Sequence, residues 1–138
     1  MFLLDTVVLS ELRKKRRNAN VVAWIGSVAD AELFVSAATI VEIEYGIEHQ
    51  RTRDPAFAGA LASWLDTMLR VYGERVLPIT VQIARRWGRL VAGIGNRDLD
   101  LAIAATALEQ GLTVVTRNVA HFARTGAATL NPFEVQAG

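Results

Sequence analysis

Three acids and an amide stand where predicted strands end or predicted helices begin. Asp5 follows the first apolar run of the sequence, Glu42 lies within a predicted helix, Asp100 lies near the start of a later helix, and Asn118 follows the last strong apolar run. Carboxylates that converge raise one another's pKa, and a divalent cation is the usual reason for a protein to bring them together. A site of this kind can hydrolyse a phosphodiester, because the metal activates water and stabilises charge on the phosphate.

The amino-acid composition limits which metal ions such a site can bind. The 138 residues include no cysteine and only two histidines, His49 and His121. Thiolate metal sites, disulfides and cysteine nucleophiles are therefore excluded, and a zinc site has few possible ligands. Oxygen ligands remain, and they suit Mg²⁺ or Mn²⁺. The net charge of +1, from 15 basic and 14 acidic residues, says nothing by itself about a nucleic-acid partner.

The chain has the size and polarity of one globular domain. Apolar residues make up 51% and charged residues 21% of it, which excludes a disordered chain. A domain of this size buries roughly 68% of its surface on folding, enough for a core without disulfides. Asp5 interrupts the N-terminal apolar run, and no run approaches the ~20 residues of a membrane span. We therefore expect no membrane segment and a cytoplasmic location.

Short apolar runs alternate with longer amphipathic segments along the chain. Strands are predicted at Phe2 to Leu4, Leu33 to Ser36 and Leu112 to Thr116, and Val76 to Pro78 is predicted to be a short strand or an extended linker. Helices are predicted over Val7 to Arg17, after a cap at Asn20, over Thr39 to Glu48, from Asp54-Pro55 to Tyr72, from a cap at Thr80 to Gly93, and from Asp98 or Asp100 to Gln110. This alternation predicts an α/β fold with a parallel sheet and helices on both faces. Ligands bind beyond the carboxyl ends of the strands in such sheets, where the three acids are expected.

Five stretches of the sequence, taken in order, match one family over nearly the whole chain. They are FLLDTVVLSEL at 2–12, SAATIVEIEYG at 36–46, DLAIAATAL at 100–108, LTVVTRN at 112–118 and LNPF at 130–133. Together they resemble the PIN-domain ribonucleases of the VapC toxin class. The resemblance implies a single PIN domain over residues 1–138 and endonucleolytic cleavage of RNA that depends on Mg²⁺ or Mn²⁺. It also implies a homodimer and a cognate antitoxin that masks or distorts the site.

The resemblance also assigns roles to residues. Asp5, Glu42 and Asp100 are the implied metal ligands and catalytic acids. Thr6 and Ser10 are implied to contact the substrate and to orient water molecules or Asp5.

The sequence departs from the family pattern at two points. Asn commonly follows the Asp-Thr pair, and here the residue is Val7. A fourth acid is common at one of two positions that here hold Asn118 and His121. The Asn118 carbonyl oxygen remains a candidate catalytic group, as a weak ligand or through a water molecule. Asp98 is a possible substitute acid, but its i, i+2 spacing from Asp100 predicts that the two side chains diverge. We therefore expect Asp98 to cap the helix and Asp100 to be the ligand.

The candidate RNA contacts are basic. The run Arg13 to Arg17 is the only dense cluster, and we expect Lys14, Lys15, Arg16 and Arg17 to contact phosphates. A solvated helix end is the alternative for this run. Arg117 is a candidate phosphate clamp, with a surface salt bridge as its alternative. His121 is expected to be an ordinary loop residue, with a general base as its alternative, because a metal-activated water does not require one.

Two other functions compete with the nuclease. A catalytically weak PIN domain that binds RNA or a protein without cleaving is supported by the missing fourth acid. A response-regulator receiver domain also clusters acids near its N-terminus, but it needs a lysine after a late strand. No lysine occurs after Lys15, which argues strongly against a receiver.

Overall fold

Five parallel strands form the central sheet of the fold, which a computed structural model describes over residues 1–136. The strands are β1 (Phe2–Leu4), β2 (Leu33–Ser36), β3 (Val76–Leu77), β4 (Thr113–Val115) and β5 (Thr129–Leu130), in the spatial order β3-β2-β1-β4-β5. Leu4 of β1 stands beside Val35 of β2 and Val115 of β4. The carboxyl ends of these three strands therefore lie side by side at the middle of one sheet edge.

Within residues 1–136, seven α-helices connect and cover the strands. They are α1 (Thr6–Glu11), α2 (Ala19–Gly26), α3 (Ala37–Gln50), α4 (Pro55–Tyr72), α5 (Val81–Ile94), α6 (Leu99–Gln110) and α7 (Val119–Ala123). Helices α1 to α4 pack on the face of the sheet that carries Leu4, Val35 and Val115. Helices α5 to α7 pack on the face that carries Leu3 and Val114. The predicted parallel sheet with helices on both faces is confirmed.

Local capping chemistry explains most helix boundaries. The Asp54 carboxylate accepts a hydrogen bond from the Phe57 N–H, and Pro55 begins α4 as predicted. The Thr80 hydroxyl caps α5 in the same way. Helix α5 ends at Gly95, whose φ of 82° lies in the left-handed region that glycine adopts without strain.

Two predicted boundaries near the N-terminus are wrong. Helix α1 ends at Glu11, so the basic run occupies a turn after the helix and not a helix end. A continued helix would bring Arg13 and Arg17 into the repulsive i, i+4 arrangement. Helix α2 is capped by Asn18, not Asn20, because the Asn20 side chain donates instead to the Phe133 carbonyl at 2.7 Å.

Two elements near the C-terminus were not predicted. Strand β5 has two residues and α7 has five, too few for an apolar period to appear in the sequence. Both are held by tertiary contacts. Strand β5 pairs with β4, and Phe122 of α7 is buried under the sheet. Among the helices of residues 1–136, none combines the length and apolar character that crossing a bilayer requires.

Candidate active site

Asp5 lies at the centre of the sheet edge, directly after β1, with only 3% of its surface exposed. Its main-chain N–H donates to the Val115 carbonyl, and its Oδ1 accepts from the Val8 N–H at 2.9 Å as the cap of α1. Burial raises the pKa of this carboxyl, and the negative charge of Asp100 adds to the rise. Hydrogen bonds from the Thr116 hydroxyl and from Val8 act in the opposite direction.

Glu42 reaches the same edge from α3, the helix that follows β2. Its Oε1 accepts a hydrogen bond of 2.7 Å from the Thr6 hydroxyl. Burial raises the pKa of the Glu42 carboxyl, Thr6 lowers it, and the charges of Asp100, Asp5 and Asp98 raise it further. The family resemblance implied that Thr6 orients water molecules or Asp5, and in the structure its short side-chain bond is to Glu42.

Asp98 and Asp100 converge, although their spacing predicted divergence. Asp98 caps α6 with an Oδ1 that accepts from the Leu101 N–H at 3.2 Å. As a cap it has extended backbone angles, φ −66° and ψ 158°, so helical spacing does not apply to it. Both carboxylates reach Nε2 of His121, at 3.3 Å from Asp98 and 3.2 Å from Asp100. Burial, followed by the charge of Asp98, raises the pKa of the Asp100 carboxyl.

His121, expected to be an ordinary loop residue, lies in α7 and faces this pair of acids. One nitrogen of the Arg124 guanidinium lies 3.1 Å from His121 Nδ1 and 3.4 Å from Nε2. The ring therefore lies between the Asp98 and Asp100 carboxylates, which face its Nε2, and the Arg124 guanidinium. The sequence did carry a signal for His121, since the family resemblance implies that an acid is common at one of two positions, here Asn118 and His121.

Two predicted site residues have weaker connections to the acids. The Ser10 hydroxyl forms no hydrogen bond to the four acids within residues 1–136. Asn118 is exposed at the start of α7, and its side chain forms no cap bond. Its main-chain N–H donates to the Thr116 hydroxyl at 2.9 Å. A role for Asn118 or Ser10 stays a prediction.

The basic residues divide into fixed and free groups. The Arg117 guanidinium lies 4.0 Å from the centre of the Phe133 ring, a cation–π contact that holds it against the C-terminal segment. Arg13 stacks on Phe57 in the same manner. In the turn after α1, Lys14 pairs with Glu11 at 3.3 Å. Lys15, Arg16 and Arg17 are exposed there and form no ion pair with any described residue.

The four acids suit a divalent cation. Asp5 follows β1, Glu42 lies within α3, and Asp98 and Asp100 lie at the start of α6. No lysine or arginine in residues 1–136 forms an ion pair with any of these four acids. Asp98, Asp100 and His121 each offer one ligand atom, and these three atoms lie within 4.8 Å of one another. Burial and then the charges of neighbouring acids raise the pKa values of Asp5, Glu42 and Asp100, and a bound cation would offset this penalty. Oxygen ligands dominate the set, as Mg²⁺ and Mn²⁺ require.

Comparisons with known proteins agree on one family. The model of the PIN-domain family matches residues 2–128. The VapC ribonuclease Y4jK of Sinorhizobium fredii is 33% identical over 97% of this chain and 99% of its own. Toxin FitB of Neisseria gonorrhoeae is 30% identical over 96% and 99%. The crystal structure of FitAcB from Neisseria gonorrhoeae superposes with a TM-score of 0.76 at 28% identity, covering 98% of this chain and 100% of that one.

Proposed function

The chain belongs to the PIN-domain family, and from this premise we propose that it is a metal-dependent endoribonuclease, the toxin of a toxin–antitoxin pair. One relative of full length is named a VapC ribonuclease and another a toxin, which supports both parts of the proposal. The substrate is RNA, and the reaction is hydrolysis of a phosphodiester bond.

One observation carries the proposal. Four carboxylates lie near enough to interact through their charges at the edge of the sheet where ligands of parallel α/β folds bind, and no lysine or arginine of the described residues is paired to them. A structural role would favour acids that are paired or solvated, because burial without a partner is unfavourable. Here burial raises the pKa values of Asp5, Glu42 and Asp100. A centre for Mg²⁺ or Mn²⁺ accounts for this arrangement.

The residues of the chain have separable tasks in this function. Asp5, Glu42 and Asp100 are the proposed metal ligands, and Asp98 adds a fourth carboxylate. A divalent cation supplies, when bound, an activated water nucleophile and charge stabilisation for the attacked phosphate. The Val8 N–H and the Thr6 hydroxyl hold Asp5 and Glu42 in fixed orientations.

RNA binding is assigned to the exposed cations. The turn after α1 holds Lys14, Lys15, Arg16 and Arg17, and Asp5 caps this short helix. The turn is therefore close to the acid site in sequence. Arg117 stands two residues beyond β4, on the same edge of the sheet as Asp5. Cations so placed would bind the phosphates that flank the scissile bond.

The protein partners follow from the toxin assignment. We propose a cognate antitoxin and a homodimer. Val7, Val41 and Tyr45, which are 44%, 51% and 71% exposed, lie on α1 and α3 beside Thr6 and Glu42. Exposed apolar side chains that flank an acidic site suit a partner segment that covers it.

A cleavage assay tests the proposal. Purified protein is incubated with structured RNA in excess EDTA and then with Mg²⁺ or Mn²⁺, beside Asp100→Asn and the exposed control Asp66→Asn. We expect cleavage only with metal, lost in Asp100→Asn and kept in Asp66→Asn. Full cleavage in EDTA contradicts the proposal. RNA binding without cleavage under any metal supports the catalytically weak domain instead.

A further inference from the structure

His121 and its two carboxylate neighbours form a mixed ligand set that the family pattern does not contain. The Nε2 atom of His121 lies 3.3 Å from Asp98 Oδ2 and 3.2 Å from Asp100 Oδ2. Ligand atoms around one ion with bonds of about 2.1 Å at right angles stand about 3 Å apart. The spacing of these three atoms therefore suits ligands of a single ion. All three side chains are about one-third exposed, so an ion can reach them.

We propose that His121 is a metal ligand of this protein and that its nitrogen shifts the ion preference from Mg²⁺ towards Mn²⁺. The inference rests on the proposed function, because it concerns the same metal centre. It also accounts for the missing fourth acid, since His121 stands at one of the two positions that hold it in related proteins.

The chemistry of the ligands gives the direction of the preference. Mg²⁺ is a hard ion that takes oxygen ligands and water, whereas imidazole suits transition-metal ions. Exchange of a carboxylate for an imidazole also removes one negative charge from the site. The imidazole nitrogen and the lost negative charge each weaken Mg²⁺ binding. A transition-metal ion loses less, because it keeps a favourable bond to the nitrogen. Mn²⁺ accepts both the remaining carboxylates and the imidazole.

The surroundings of the ring permit this role. The Nε2 atom faces the two carboxylates, which is the position from which it would ligate an ion together with them. Ligation through Nε2 requires the tautomer with its proton on Nδ1, and Arg124 must then leave Nδ1. Arg124 is exposed, so its guanidinium can turn into solvent. The His121 ring also meets Phe122 edge-on, with ring centres 5.9 Å apart, and Phe122 is buried, which limits the ring's movement.

Metal binding itself is the test. The Kd values for Mn²⁺ and Mg²⁺ are measured by calorimetry for the wild type, His121→Asp, His121→Ala and a control, His49→Ala. His49 is exposed and stacks on Tyr45, outside the acid cluster. We expect His121→Asp to lower the preference for Mn²⁺ over Mg²⁺ by at least about tenfold, a typical cost of disturbing a metal site. His121→Ala should raise the Kd for Mn²⁺ by a similar factor, and His49→Ala should change neither the Mn²⁺ Kd nor the Mg²⁺ Kd.

Electron spin echo spectroscopy of bound Mn²⁺ gives a second readout that does not use activity. Wild type should show coupling to a coordinated ¹⁴N nucleus, and His121→Asp and His121→Ala should lose it. Bound Mn²⁺ without ¹⁴N coupling, or an unchanged ion preference in His121→Asp, overturns this inference alone. A wild type that binds neither ion contradicts the metal-dependent function as well. Circular dichroism in EDTA establishes that each variant is folded.

Discussion

Asp5 combines the deepest burial among the four acids with a structural task. Its Oδ1 caps α1, yet burial raises the pKa of the same carboxyl. An asparagine keeps the capping oxygen and removes the charge. We expect Asp5→Asn to lower RNA cleavage by at least about 100-fold, since a metal contact is lost. The fold should be retained. The exposed control Asp66→Asn should leave cleavage unchanged, and a fully active Asp5→Asn would contradict the assignment of Asp5.

The pKa of Asp5 gives the same substitution a predicted pH dependence. A pKa raised above its ordinary value of 3.8 means that the folded state binds the proton more tightly than the unfolded chain. In EDTA, the carboxyl therefore costs no stability below about pH 3.8, and stability falls as the pH rises through the folded-state pKa. Asp5→Asn should match the wild type in urea unfolding at acid pH and exceed it at neutral pH. Equal stability at both pH values would contradict the predicted direction.

A substitution of Asn118 tests whether the exposed start of α7 faces the metal. If its side chain contributes a weak ligand, Asn118→Asp should strengthen Mg²⁺ binding, because it restores an acid at a position where the family often has one. We expect the Mg²⁺ concentration for half-maximal cleavage to fall by about tenfold. Calorimetry with Mg²⁺ provides the direct measurement. Unchanged binding would place Asn118 outside the metal centre.

At the scale of elements, Asp98 both caps the N-terminus of α6 and faces His121. The two oxygens of Asp98 act separately, Oδ1 on the Leu101 N–H and Oδ2 towards His121. Asp98→Asn preserves the cap and removes the charge, whereas Asp98→Ala removes both. We expect Asp98→Ala to lose about 1 kcal/mol of unfolding free energy in EDTA and Asp98→Asn to lose little. Metal affinity should fall in both.

Helix α4 supplies a matched control for this pair. Asp54 caps α4 through a similar bond, from the Phe57 N–H at 3.1 Å. Asp54→Ala should lose a similar unfolding free energy, and neither Asp54→Ala nor Asp54→Asn should change metal affinity. Thermal or urea unfolding in EDTA, with calorimetry for the metal, separates the two effects. Metal affinity that survives in Asp98→Asn would restrict Asp98 to capping.

At the scale of the whole molecule, a net charge of +1 leaves the overall field nearly neutral. RNA affinity must then come from local charge, and each phosphate contact on a single strand contributes about −0.7 to the log–log salt slope. Replacement of Lys14, Lys15, Arg16 and Arg17 by Gln should make the slope shallower by about 2 from the three unpaired cations, or about 3 if Lys14 also contacts RNA. Binding is measured in the Asp5→Asn background across a range of salt.

The control for this experiment changes the net charge equally at other places. Arg51, Arg53, Arg85 and Arg89 are exposed at the end of α3, beyond it and on α5. Their joint replacement by Gln should leave the salt slope nearly unchanged. With Asp5 intact, cleavage at saturating RNA should survive in both variants. Equal losses of slope would indicate that the overall charge, and not the turn after α1, governs RNA binding.

The sequence by itself determined the elements whose signals are local. The apolar runs at Phe2 to Leu4 and Leu33 to Ser36, the Asp54-Pro55 start of α4 and the Thr80 cap of α5 all appear as predicted. Apolar periodicity and capping depend on neighbours within a few residues, so the chain alone carries them. The parallel sheet with two covered faces followed from their alternation.

Only the tertiary structure decided how the acids meet. Helical spacing predicted that Asp98 and Asp100 diverge, but the cap conformation of Asp98 turns both towards His121. Thr6 bonds Glu42, 36 residues away, and α7 exists because Phe122 is buried under the sheet. These contacts join residues far apart in the chain. They arise because parallel pairing sets the carboxyl ends of β1, β2 and β4 side by side, and no local pattern of residues specifies that arrangement.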